Sequence, residues 1–206
     1  DFYQKQYKKG VFSIKTVIFV CFLSFFNWFL EILKWQKLAS FCKKTTFNKA
    51  AIQSLASLTA SLITPNRIGE YGVKSLYFEK YLRKKIIGVN FVGNFYQLMA
   101  TLFFGTLGIT YFVIEQPVKI NFGSIVPYAI FLFFVIFTLF FIVTSTNFII
   151  SYLRKIRDFL TKIPLNLHLK VMLFSFIRFI IFSHQFYFLL LFLHPDIQYL
   201  EAITSI

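Results

Sequence analysis

Apolar and polar positions in this chain separate into long blocks rather than alternating at the short period of a strand. Apolar blocks cover about 16–33, 50–63, 86–114, 126–148 and 171–193, with Lys and Arg clustered between them. A helix of roughly 18 residues or more is long enough to cross a hydrocarbon layer about 30 Å thick. Four blocks reach that length, whereas 50–63 has only 14 residues. The pattern predicts an all-α fold: a polytopic helical membrane protein with about four full transmembrane helices and a shorter element near 50–78.

Charge placement says what the shorter element is. Segments 34–49, 79–85 and 152–170 hold 14 of the 22 basic residues, while 115–125 and 194–201 hold one Lys and three acids. Basic loops stay in the cytoplasm, so residues 50–78 begin and end on the same side. Two full crossings do not fit in so short and polar a stretch. A re-entrant hairpin turning at Thr64–Gly69 does fit, and such backbone is tolerated at depth only where it is buried in protein or lines a wet cavity. The same scheme places the basic residues 1–15 outside, against the rule.

The residues at the turn are the first candidates for chemistry. Pro65 forces Thr64 out of helical geometry and can open the next helix, with Thr64 or Asn66 as its cap. Past the turn, Arg67, Glu70 and Lys74 share one helix face. The N-terminus of that second half-helix offers free N–H groups and a partial positive charge, a ready anion site. Before the turn, Ser54, Ser57, Ser61 and Thr64 form a small-residue stripe suited to close helix packing.

Two of the long helices carry polar faces of their own. Asn90, Asn94, Gln97, Thr101, Gly105 and Gly108 recur at spacings of three and four, as packing glue or as a cavity lining. On the last block Ser175, Arg178, Phe182 and Gln185 fall within about 80° of a helical wheel. Arg178 is too deep to reach water easily and is a functional candidate by default, with Glu70 as its expected partner. Glu31 is expected to pair with Lys34 one turn on, near the membrane interface. His184 faces the other way and is assigned a local hydrogen bond.

Composition narrows the classes. With 57% apolar and 21% aromatic residues in 206, the chain exceeds what a soluble domain of its size can bury. The net charge of +14 sits in loop clusters without a nucleic-acid motif, so no nucleic-acid partner is expected. Cys21 and Cys42 make no metal spacing, and no Gly-x-Ser-x-Gly elbow, phosphate loop or carboxylate pair is present. No cofactor or metal is expected, and nothing in the sequence marks an enzyme. Opening at Asp1 and closing at Ile206 within apolar sequence, the chain is expected to be one transmembrane domain truncated at both ends.

The run Leu62-Ile-Thr-Pro-Asn-Arg-Ile-Gly-Glu70, with Lys74, resembles the Thr-Pro-x-x-x-Gly-Glu hairpin of the lysylphosphatidylglycerol synthase transmembrane-region family, also called flippase-like domain proteins. Asn27-Trp-Phe-Leu-Glu-Ile-Leu-Lys-Trp35 and Ser175-Phe-Ile-Arg-Phe-Ile-Ile-Phe-Ser-His-Gln185 are similar to stretches in its members. The resemblance implies a multi-pass protein of the bacterial inner membrane, with paired re-entrant hairpins around a lipid cavity. It carries over Pro65, Arg67, Gly69 and Glu70. Asn66 departs from the glycine of many relatives, and a second hairpin would follow Ile206. The leading expectation is a lipid-binding or lipid-translocating domain whose partners are membrane lipids with anionic or zwitterionic headgroups, aminoacylated phospholipids among them. Pro65, Arg67, Gly69, Glu70, Lys74, Arg178 and Gln185 form the expected headgroup site, with Asn90, Asn94 and Gln97 as cavity or packing residues. The alternatives are the membrane part of a transferase acting on lipid-linked substrates, and a scaffold for a membrane enzyme. A homo-oligomer and a soluble transferase, fused or separate, stay open as protein partners.

Overall fold

Pro65 divides the hairpin region where the sequence says it should. In the computed structural model, which describes residues 14–115, 157–193, 199 and 202, Thr64 is extended (φ −105°, ψ 139°), the geometry a following proline imposes. Helix α2 (Phe47–Ile63) ends there, a 3-10 turn (Pro65–Arg67) forms the elbow, and α3 (Ile68–Leu76) follows. The second arm thus stops at Leu76, close to the expected end near 78. The first starts at Phe47, before the apolar block itself.

Long helices flank this hairpin: α1 (Ile14–Cys42) before it, then α4 (Arg83–Glu115) and α5 (Leu165–Leu193) after it. All three are long and apolar enough to cross a membrane. The described residues are helices and turns, without a strand. The expected span at 126–148, residues 116–125 of the loop before it, residues 1–13 and His194-Pro-Asp196 lie outside the described residues.

The chain divides into two compact units, Asp1–Phe112 with Leu165–Ile206, and Val113–Pro164. The described end of the second unit is a helical stretch, 157–161, closed by hydrogen bonds from the Lys162 and Ile163 amides to the Phe159 and Leu160 carbonyls.

Within the first unit, α1 and α5 pack most extensively, and α3 packs back on α2. The Phe19 and Phe188 rings meet edge to face at 5.1 Å, and Phe104 of α4 stacks on Phe179 of α5 at 4.9 Å. Other large apolar side chains, including Phe22, Phe25, Phe91, Leu98, Leu102 and Leu173, point outward. Apolar surface on that scale suits hydrocarbon rather than water.

The elbow is held by one hydroxyl and one missing side chain. Thr64 Oγ1 donates to the Ala60 carbonyl (2.8 Å) and accepts from the Gly69 amide (2.8 Å). A Cβ on Gly69 would lie 2.6 Å from both the Ala60 carbonyl oxygen and Thr64 Oγ1, so a side chain is excluded by close backbone approach. Arg67 is left-handed (φ 58°), a conformation that costs a non-glycine residue about 1–2 kcal/mol. At the open end of the hairpin, Lys43 donates to the Glu79 carboxylate and Lys85 Nζ lies 4.5 Å from the centre of the Phe41 ring. The hairpin therefore returns to the end of the bundle from which it leaves.

Candidate functional site: a charged cavity between the hairpin and the long helices

A cavity of about 660 Å³ opens between the hairpin and α1, α4 and α5. Each element turns a polar face into it. From α1 come Ser24, Asn27, Glu31 and Lys34, from α2 Ser54, Ser57 and Ser61, and from the elbow and α3 Arg67, Glu70 and Lys74. Asn94, Gln97 and Thr101 of α4 complete it with Arg178 and Gln185 of α5.

Glu31 is the hub of a buried charge network. Its carboxylate accepts from Arg178, lies 2.8 Å from Lys34 Nζ, and is 3.9 Å from Lys74 Nζ. Arg178 also donates through Nε to Asn27 Oδ1 (2.9 Å) and through Nη1 to Gln97 Oε1 (3.3 Å). Lys74, 2% exposed, donates to Glu70 Oε1 at 2.8 Å and to Asn90 Oδ1 at 2.9 Å. Its Nζ also lies 4.4 Å from the centre of the Trp35 ring. The Trp35 indole N–H in turn donates to Gln53 Oε1 at 2.8 Å. Ions removed from water cost several kcal/mol each unless paired and hydrogen-bonded, and this density of partners is what lets Lys34 and Lys74 stay buried.

The expected pairing of Glu70 with Arg178 is corrected. Arg178 meets Glu31, while Glu70 holds Lys74 and lies 3.1 Å from Arg67 Nη2. The reason is register: Glu70 and Lys74, four residues apart on α3, meet within their own helix. Glu31 does pair with Lys34, but from inside the bundle rather than at an interface. The capping expectation also changes, because Thr64 makes no side-chain cap at the turn and receives the Gly69 amide instead. With the Ile68 amide bonded to the Pro65 carbonyl, two N–H groups of the expected anion site are already used.

Of the residues expected at a headgroup, Arg67, Glu70, Lys74, Arg178 and Gln185 line the cavity, whereas Pro65 and Gly69 shape the elbow beside it. Gln185 donates to Ser24 Oγ at 2.6 Å, fastening α5 to α1. The polar face of α4 divides. Asn90 is buried on Lys74 behind the cavity, while Asn94, which donates to the Tyr71 hydroxyl at 2.9 Å, lines it together with Gln97 and Thr101. Ser175, on the Arg178 face of the wheel, is fully buried and does not reach the cavity. His184 hydrogen-bonds locally, Nδ1 with the Ile180 carbonyl and Nε2 with the Tyr199 hydroxyl.

Sequence reasoning missed α1. Ser24, Asn27, Glu31 and Lys34 fall within about 80° on a wheel, the same signal that singled out the Arg178 face. Pairing Glu31 with its nearest Lys concealed it.

Chemically, the cavity offers four cations (Lys34, Arg67, Lys74, Arg178) against two carboxylates (Glu31, Glu70), surrounded by hydroxyl and amide groups. That excess of positive charge favours an anion over a cation. Among the described residues no three His, Cys, Asp or Glu side chains gather as a metal site. Compared with known proteins, the chain matches no family model, no curated protein and no solved structure.

Proposed function

We propose that the chain is the lipid-handling domain of a multi-pass membrane protein, flippase-like in the sense of the family its hairpin resembles, and that the cavity receives a phospholipid headgroup. In this reading α2, the elbow and α3 dip into the bacterial inner membrane from the cytoplasm and return. The contact between Lys43 and Glu79 supports a common side for both ends of the hairpin. The observation that carries the reading is the excess of cations over carboxylates in a cavity set among helices long and apolar enough to span a membrane. A site at that depth meets anions chiefly as lipid headgroups. The rim supports it too: Leu62 and Phe182 line the cavity while 79% and 49% exposed, an apolar lip along which acyl chains can leave.

Proteoliposomes containing the full-length protein and a labelled anionic phospholipid test the proposal. Arg178→Gln is expected to slow transbilayer movement by about tenfold or more, the scale of a charge-assisted hydrogen bond worth about 1.5–3 kcal/mol. Movement unchanged in the double variant Glu70→Gln, Arg178→Gln would overturn it.

A further inference from the structure

We infer that the headgroup taken by this cavity is a polyol phosphate, an anion carrying free hydroxyls with no ammonium of its own; this rests on the lipid-headgroup reading above. Three observations lead there. First, each carboxylate already faces cations of the protein, Glu31 facing Lys34 and Arg178 and Glu70 facing Lys74 and Arg67, so a ligand ammonium would add a further positive charge beside them. Second, the cavity keeps two more positive charges than negative ones. A headgroup that is itself cationic meets repulsion there, and a phosphate supplies the missing charge. Arg178 spends its Nε and Nη1 donors within the protein, and among the described residues Nη2 has no hydrogen bond, which leaves it for a phosphate oxygen.

Third, two residues that line the cavity each keep a buried side-chain oxygen without a hydrogen-bond donor. Glu70, 3% exposed, keeps Oε2 without a hydrogen bond, because Arg67 Nη2 is near it but not aligned to donate. Ser54, also 3% exposed, keeps its Oγ unpaired. Buried polar atoms left unsatisfied in a native protein call for a partner. A hydroxyl donates to Glu70 Oε2 without adding charge and exchanges with Ser54 either way, whereas an ammonium would add to the excess. The volume, about 660 Å³, exceeds what a bare phosphate fills and leaves room for a glycerol or sugar unit.

The test is a binding series on the full chain in a neutral detergent. The ligands are short-chain phosphatidylglycerol, phosphatidylmethanol of the same chain length (same phosphate, no hydroxyl), the lysyl ester of that phosphatidylglycerol, and glycerol 1-phosphate. Phosphatidylglycerol is expected to bind about tenfold more tightly than phosphatidylmethanol, the scale of one hydrogen bond to a charged acceptor. The lysyl ester is expected to bind more weakly than both. Ser54→Ala, which leaves every ion pair in place, and Glu70→Gln should each shrink the preference for phosphatidylglycerol over phosphatidylmethanol severalfold. Equal binding of the two anionic lipids, or tighter binding of the lysyl ester, overturns the inference and leaves the headgroup reading standing. If glycerol 1-phosphate binds as tightly as the lipid, the polyol-phosphate chemistry stands and the lipid reading falls. If none of the four binds, both fall.

Discussion

Glu31 and Glu70 face the same cavity from regions built on different terms. Around Glu31, four helices contribute two lysines, an arginine and the amides of Asn27 and Gln97, and the carboxylate lies between three cations. Around Glu70, the scaffold is one short helix and a left-handed residue, and one carboxylate oxygen has no hydrogen bond. The first region ties four helices together and offers the proposed ligand only Arg178 Nη2, whereas the second offers it a carboxylate oxygen that the protein leaves without a hydrogen bond. Buried charge therefore does not by itself mark a binding site. What separates the two regions is whether the protein satisfies the charge internally.

Removing the hub should break the first region outright. Glu31→Ala strands Lys34 and Arg178 and weakens the setting of Lys74, and breaking a buried pair costs about 3–5 kcal/mol. Thermal unfolding in detergent should show a large loss of stability. A loss no greater than that of Glu70→Ala would erase the distinction drawn here.

Next come two changes at the elbow with opposite signs. Gly69→Ala forces a methyl against the Ala60 carbonyl and Thr64 Oγ1 and should cost about 1–3 kcal/mol. Arg67→Gly removes the left-handed strain and should leave the fold unchanged or up to about 1 kcal/mol more stable, while weakening anion binding. The same unfolding assay reads both, and equal signs would mean that the elbow is set by something other than backbone fit.

The smallest effect belongs to the exposed pair at the base. The Lys43 hydrogen bond, helped by Tyr81, holds the Glu79 carboxyl below its ordinary 4.5, and Glu79 raises Lys43 above 10.5. The Glu79 contribution is present above the ordinary carboxylate value and lost as pH falls through the depressed one. The Lys43 contribution is complete below the ordinary lysine value and lost as pH rises through the raised one. The difference in melting temperature between wild type and Glu79→Gln should thus be small and flat across neutral pH, close in acid and in strong base, and shrink with salt.

Local rules made much of this readable in the sequence. Pro65 stops a helix whatever surrounds it, and the apolar lengths of α1, α4 and α5 follow from composition. Periodicity put Arg67, Glu70 and Lys74 on one helix face and Arg178 and Gln185 on another, and both faces line one cavity, although the pair expected to join them, Glu70 with Arg178, does not form. What could not be read was pairing. Arg178 has two buried carboxylates around one cavity to choose from, and the choice depends on how α5 lies against α1, which no spacing within α5 encodes. Gly69 was read as a motif position, while its physical reason, the approach of the Ala60 carbonyl, exists only once α3 has folded back on α2.

The two tryptophans give the protein an optical sense of its own state. Trp28 stands in the cavity wall, and Trp35 lies against the Lys74 ammonium with its indole N–H fixed to Gln53. A ligand at Glu70 that draws Lys74 away would change the field across this indole, so its binding is expected to show in ultraviolet emission from α1 without any added dye.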